Sequence, residues 1–476
     1  MQSDTKFRRA RRKNAITEAP REAQPGRVIV VLLCAVIIIA TLVFGGVDSW
    51  AIGFFALSAA VIVVVWVVDG LQTGELRYSS SGLQFPVAAL LLLGCVQLLP
   101  LGGSPLSNEL LSIDASAALS MDPYATRLFV IRLAIYAVFF AAALTFIEGT
   151  DRIRRVALIL IGFGSLMAFF AILQRLADAE AIYGVRPTPD AIFFGTFVNQ
   201  HHFAALMVML SGLCGGLLLG RGLGRDKKMF AAIGIVVMGI AVFFTGSRGG
   251  LISYSGMVLF AAAATYLVQR KRSGAGVAET VKRSWLLIGG SVAFLMIILF
   301  GAFFLGGGEG LFRGLGPDTQ TDITSGRTHF WSIALKIFAD NPVIGAGFDA
   351  FGVAYPRYDT WNGMYRVEQA HNDYLQTLAD GGVLAFVCIT AFICLFLRAA
   401  VQKIKNTSRG LDRDIAIGAL AGCIGILIHS FFDFPLRTPA NAFVFLMLVV
   451  LVTAKGEEKI HVRRRSGRNE KQGQTT

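Results

Sequence analysis

The stretch VIVVLLCAVIIIATLVFGGV, residues 28–47, runs for twenty positions without a charged side chain. In water every side of such a helix would need wrapping by other protein. A bilayer core about 30 Å thick, by contrast, takes about 20 apolar residues in a single helix. Comparable runs begin near Val28, Ala51, Phe85, Leu128, Val156, Phe203, Met229, Leu251, Trp285, Gly382, Ile415 and Ala440, although several are short or carry glycine. Because a backbone in lipid must satisfy its own hydrogen bonds, the expected fold is an all-α polytopic membrane bundle of about 12 transmembrane helices. Composition agrees: hydrophobic residues make up 54% of the 476, charged residues 16%, and mean hydropathy is +0.62. That is too apolar for a soluble chain of this length.

The polar segments between the runs are unequally charged. If the N-terminus is cytoplasmic, one side holds Arg8, Arg9, Arg11, Arg12 and Lys13, then Arg152, Arg154 and Arg155, then Arg225, Lys227 and Lys228. Further along it holds Lys282 and Arg283, Lys403 and Lys405, and Arg463 to Arg465. About 33 of the 44 Lys and Arg fall there, as the positive-inside rule requires. Both termini are therefore expected in the cytoplasm. The net charge of +13 reads as topology, with no nucleic-acid partner expected. Lys6 to Arg27 lacks the pattern of a cleaved signal and reads as a solvated tail. The six cysteines are scattered through apolar runs, so neither disulfides nor zinc are expected.

This topology divides the chain into a basic tail at 1–27, nine spans over 28–305, a large outward loop at 306–380, three spans over 381–454, and a second basic tail at 455–476. A loop of that length should contain its own elements and carry function. Gly306 to Gly316 reads as a hinge, able to close the loop over a bound substrate. In "TSGRTHFWSIALKIFADNP", Trp331, Leu335 and Phe338 share one helical face, and Asn341-Pro342 should stop the helix. A second helix is expected from Glu368, with His371, Leu375 and Leu378 on one side. Gly381 and Gly382 should loosen its junction with the next span.

The few positive charges left on the outer side are the informative ones. Arg186, Arg248, Arg327, Arg357, Arg366 and Arg437 all lie in loops or at span ends. Arg248, in the short connection "TGSRGG", is held at the mouth of the bundle. An arginine there is costly and suits an anion such as phosphate. Snorkelling to lipid headgroups, or an ion pair with an acid such as Asp433, accounts for Arg248 alone equally well. His371 is a candidate for proton transfer, since a neutral imidazole accepts a proton near neutral pH. A lipid-interface histidine is the blander alternative. His201 and His202 should point different ways from their helix, which disfavours a shared metal, and His429 could bond Asp433 across one turn. "GAGFDAFG" reads as a turn, for lack of a preceding strand. Asp412 and Asp414 read as charge balance in a basic loop, and "NTS" at Asn406 faces inward.

Together, "TGSRGG", "SGRTHFWSIALKIFADNPVIGAGFDAF", "EQAHNDYLQTLADGG" and "HSFFDFPLRTPANA" resemble the O-antigen ligase and polymerase superfamily of bacterial envelopes. "DPYATRL" and "FGTFVNQHHFAA" look similar to segments of many members. The resemblance is specific from about Phe193 to Ala442. It implies a helical, GT-C-like glycosyltransferase that uses an undecaprenyl-pyrophosphate-linked glycan donor, without metal or other cofactor, at the periplasmic face, and it makes the large outward loop at 306–380 periplasmic. The acceptor would be lipid A core in a ligase or another carrier-linked glycan in a polymerase, with membrane lipids as neighbours. Carried onto this chain, Arg248 and Arg327 would hold the pyrophosphate and His371 would act at the acceptor or leaving group. Arg186, Arg357, Arg366, Arg437, His201, His202 and Asn372 would contact substrate, the last without an assigned role. The His201-His202 doublet departs from the commoner single polar residue at that place. A protein O-oligosaccharyltransferase fits the same motifs. A flippase would instead place ionisable groups near the bilayer midplane, and Arg132 is the nearest approach to that.

Overall fold

A computed structural model describes residues 24–102, 117–189, 191–270, 326–361, 366–408 and 410–454. The run beginning at Trp285, the stretch Gly306 to Gly316, most of the N-terminal tail and the C-terminal tail lie outside the described residues. Regular structure among those described is helical: α1 (Gln24–Leu42), α2 (Ser49–Thr73), α3 (Gln84–Gln97), α4 (Pro123–Phe146), α5 (Thr150–Leu176), α6 (Gln200–Leu219), α7 (Arg225–Phe244), α8 (Arg248–Arg270), α9 (Arg327–Asp340), α10 (Phe351–Ala354), α11 (Asp373–Asn406), α12 (Leu411–His429) and α13 (Pro439–Thr453). The protein is an all-α, multi-pass membrane protein. Every expected apolar run within the described residues falls on a helix, and eight helices are long and apolar enough to cross a membrane: α1, α2, α4 to α8 and α11. At 14 and 15 residues, α3 and α13 reach only about 21–23 Å by helical rise.

The centre is the pair α6 and α12. Nearly every side chain from His202 to Leu217 is buried, as are most of those from Arg413 to His429. A Cβ on Gly212 or Gly216 would strike the backbone of Gly422 or Gly418. Small residues therefore bring these two backbones into direct contact, which is how helices associate where lipid supplies no hydrophobic drive.

Contacts between helix ends sort the loops. At one end Thr150 donates to Asp412 (2.7 Å) and the Gly222 amide donates to Asp414 (2.6 Å), while Gly26 lies against Arg77 and Arg152. At the other end Thr196 donates to the Thr41 carbonyl (2.7 Å) and Arg186 pairs with Asp48 (2.6 Å). There, too, the His201 ring bonds Ser247 (2.9 Å). The basic segments thus gather opposite the end that carries the conspicuous histidines.

In the loop region two expectations change. The buried face of α9 is Ile333, Ala334 and Ile337 with Phe330, whereas Leu335 is 49% exposed. The face is rotated because α9 packs on the folded-back loop, against Phe351, Tyr355 and Ala370. Leu335 is left pointing outward. As expected, α9 stops at Asn341. The next helix starts at Asp373, five residues later than Glu368, because Asn372 caps it by accepting from the amides of Tyr374 (3.0 Å) and Leu375 (3.1 Å). His371 therefore precedes the helix and shares no face with Leu375. It sits at φ 51°, a left-handed conformation costing about 1–3 kcal/mol outside glycine.

From Asp373 the chain continues as one helix across a kink at Gly382, where φ is 62° and a Cβ would strike the Val343 carbonyl. The amides of Val383 and Leu384 donate instead to the carbonyls of Pro342 (2.8 Å) and Val343 (3.2 Å). Gln97 locks the same loop: its amide group donates to the carbonyls of Ile344 (2.6 Å) and Asp380 (2.9 Å), and its oxygen accepts from the Phe348 amide (2.9 Å). "GAGFDAFG" is a turn leading into α10.

Candidate functional site

Asp433 lies in the turn after α12, within "FFDFP", and its side chain is 1% exposed. Burying a lone carboxylate is prohibitive unless positive or hydrogen-bonding partners surround it, and here they do. His371 Nδ1 stands 3.2 Å from Oδ1, which also accepts from the Phe434 amide (2.9 Å). His202 Nε2 is 3.9 Å from Oδ1, and the Arg327 guanidinium is 3.8 Å from Oδ2. Phe434 meets both imidazoles edge-on, with centroids 4.8 Å from His202 and 4.9 Å from His371. Burial alone would push the Asp433 carboxyl up. The hydrogen bond with His371 and the nearby rings of His201 and His202 outweigh it and hold the carboxyl well below the usual carboxylate range.

This fixes the tautomer of His371. An ionised carboxylate only accepts, so Nδ1 carries a proton, which in the neutral imidazole leaves the lone pair on Nε2. An acid that orients an imidazole in this way prepares it as a base. The His371 side chain is 30% exposed, so a substrate can reach it.

The histidine doublet opens α6, whose cap Asn199 accepts from the His201 amide (2.8 Å). His201 turns to Ser247 on the connection before α8, while His202 turns to Thr438 (2.7 Å) and Asp433. His429 is fully buried, and neither ring nitrogen has a hydrogen-bond partner among the described residues. The link across that turn is the Asp433 amide donating to the His429 carbonyl (3.1 Å), not the side-chain bond expected from spacing.

Arg327 is the first residue of α9 and within ion-pair range of Asp433, yet beyond hydrogen-bond length. Arg248, half-buried, opens α8 beside Ser247, and a Cβ on the adjacent Gly249 would press on Phe432. Arg327, His201, His202 and His371 therefore converge on the turn that carries Asp433, and Arg248 opens α8 next to Gly249, which borders that turn.

Other arginines are engaged elsewhere. Arg186 holds Asp48 with both guanidinium nitrogens (2.6 and 2.8 Å) and covers the Phe44 ring. Arg366 pairs with Glu368 (3.1 Å) on the surface, and Arg357 lies over Tyr358. Asn372 gives its oxygen to the α11 cap and its amide to the Phe431 carbonyl (3.2 Å). Arg437 bridges Asp349 (2.5 Å) and Asp380 (2.6 Å), and Arg132 holds the other Asp349 oxygen (3.0 Å). The carboxylates outweigh burial and raise the Arg437 pKa. For Asp349, burial pushes upward, and Arg437 and Arg132 reverse it to a lowered value.

The sequence pointed to Asp433 only as a possible partner of Arg248 or His429, and missed its central place. The signal was present: an acid between two phenylalanines, two residues before a proline, cannot be buried without cations nearby. The pairing of Arg132 with Asp349 likewise accounts for the ionisable residue inside α4.

Residues 233–390 match the family model Wzy_C, described as O-antigen ligase. Over that segment the chain is similar to the O-antigen ligase family. It is also similar to the exopolysaccharide production protein ExoQ of Rhizobium meliloti (strain 1021), 22% identical over 240 residues, which are 46% of this chain and 54% of that protein. The chain thus spans about half the length of the curated relative it matches. The O-antigen ligase segment runs from α7 into the first half of α11 and includes Arg248, Arg327 and His371. The carboxylate that orients His371 comes from beyond it.

Proposed function

We propose that this protein is a membrane glycosyltransferase that moves a glycan from undecaprenyl pyrophosphate to an acceptor hydroxyl, at the periplasmic face of the bacterial inner membrane. The observation that carries the reading is His371 held by Asp433 with Arg327 poised beside the pair. His371 Nε2 takes the proton of the acceptor hydroxyl. The acceptor oxygen bonds to the anomeric carbon as the bond from that carbon to the phosphate oxygen breaks, and the electron pair leaves with the pyrophosphate. Arg248 and Arg327 face the charge that grows there; a preorganised donor of this kind contributes about 3–4 kcal/mol. A single displacement inverts the anomeric centre. The match of residues 233–390 to the O-antigen ligase family supports the donor and acceptor classes, with lipid A core as the ligase acceptor.

A second reading, a repeat-unit polymerase whose acceptor is another carrier-linked glycan, is favoured by the likeness to a protein named for exopolysaccharide production. Incubating the purified protein with radiolabelled carrier-linked glycan and each acceptor tests both. A new glycosidic bond supports transfer, and the acceptor that receives it decides between the readings. Movement of donor across a bilayer with no new bond would instead make the protein a flippase.

A further inference from the structure

Beside the Asp433 pocket lies an aromatic surface with no part in the chemistry above. Trp361 is 53% exposed, yet its indole is not loose. The His329 ring stacks on it at 4.1 Å and 5°, and His329 is itself fixed by its Nε2 contact with Asp359 Oδ1 (2.9 Å). The same Oδ1 accepts from the Trp361 amide (3.0 Å) and the Tyr355 hydroxyl (3.4 Å). Asp359 Oδ2 takes no hydrogen bond from a described residue. The indole edge rests at Gly326, next to Arg327, where a Cβ would come within 3.0 Å of the ring. Phe330 connects it to the site, with its ring 5.9 Å from Trp361 and 6.0 Å from His371.

The geometry points to a sugar-binding platform: Trp361, with the free oxygen of Asp359, stacks and hydrogen-bonds a pyranose ring of the acceptor glycan. An indole face is electron-rich and attracts the slightly positive C–H bonds of a sugar ring. A carboxylate oxygen beside it accepts from the hydroxyls at the ring's edge. A tryptophan that only anchored the protein at the lipid interface would need no parallel imidazole and no buttressing carboxylate. Two ring-to-ring steps separate the platform from His371, the reach of a short oligosaccharide whose terminal hydroxyl meets Nε2. This rests on the glycosyltransferase reading for the acceptor's role, but not for sugar binding itself.

Binding and transfer are therefore measured separately, on the full chain in detergent. Saturation-transfer NMR uses soluble oligosaccharides released by mild acid from the producing strain's surface polysaccharide. The ring protons should receive saturation from the wild type and from His371→Ala, lose it in Trp361→Ala, and regain it in Trp361→Phe. In the transfer assay Trp361→Ala should raise the acceptor KM about tenfold with kcat little changed, and Asp359→Asn should raise it less. Equal saturation in wild type and Trp361→Ala, with Trp361→Phe eluting and melting as wild type, overturns the platform and leaves an interfacial anchor only. Saturation that depends on Trp361 in a protein that forms no glycosidic bond would keep the platform and refute the enzyme.

Discussion

Asp349 and Asp433 are both screened from water at the same end of the bundle, yet their surroundings treat them differently. Asp349 has one oxygen held by Arg437 and the other by Arg132, at 2.5 and 3.0 Å. Asp433 has one oxygen facing His371 and a backbone amide, while the other takes no hydrogen bond from a described residue and Arg327 stands off at 3.8 Å. In the first cluster the guanidinium groups are consumed by the fold. In the second the carboxylate orients an imidazole and leaves a guanidinium able to meet another anion. Two acids whose pKa values are both lowered, that of Asp433 the further, thus belong to separate tasks, and it is the distance to the nearest arginine that separates them.

The sharpest way to break this contrast is Asp433→Asn. It keeps the shape but removes the charge that sets the His371 tautomer, so transfer should fall by about 10³–10⁴-fold while the chain still inserts and folds. Its stability cost also has a defined pH window. A carboxyl depressed below its ordinary value of 3.8 stabilises the fold above that value, and loses the contribution as pH falls through the lower folded pKa. The gap in melting temperature between wild type and variant should therefore stay constant from neutral to mildly acidic pH and close only below 3.8. A gap that varies through neutral pH would assign the effect to another group.

Asp349→Ala should do the opposite. Removing Asp349 strips Arg132 of its carboxylate and leaves Arg437 with Asp380 alone, at a cost of about 3 kcal/mol. Thermal unfolding in detergent should register this, with any surviving folded fraction transferring glycan normally. If Asp349→Ala instead folds as wild type and loses transfer, the two clusters share one task. Next in size, Arg327→Ala should lower kcat about 10²–10³-fold with an unchanged melting temperature, because no described residue depends on it for a hydrogen bond. The smallest effect is expected for Asn372→Ala, which removes the α11 cap and should cost about 1 kcal/mol in thermal unfolding without a change in kcat. A larger loss of rate than of stability there would move Asn372 into the substrate pocket.

The contrast also shows what the sequence could convey. The spans were legible because a bilayer demands long apolar runs, and α11 was shifted only by a cap whose side-chain bonds a periodicity does not encode. His371, Arg248 and Arg327 stood out because each is a costly polar residue at a span end. Asp433 did not, since its meaning depends on α6, α9 and the residue before α11 meeting one turn. Nor did the exposed side of α9, because amphipathic spacing gives a helix two plausible faces until the loop that covers one is known. In the sequence Arg437 read as a substrate contact, as did Arg186, Arg357 and Arg366, and the fold places it between two acids instead.

The most direct test of the central claim is single-turnover transfer by purified His371→Ala, with binding of carrier-linked donor measured on the same preparation. A base oriented by Asp433 predicts donor binding as in wild type and a rate of bond formation lower by about 10²–10⁴-fold. Bond formation at the wild-type rate in that variant would contradict it.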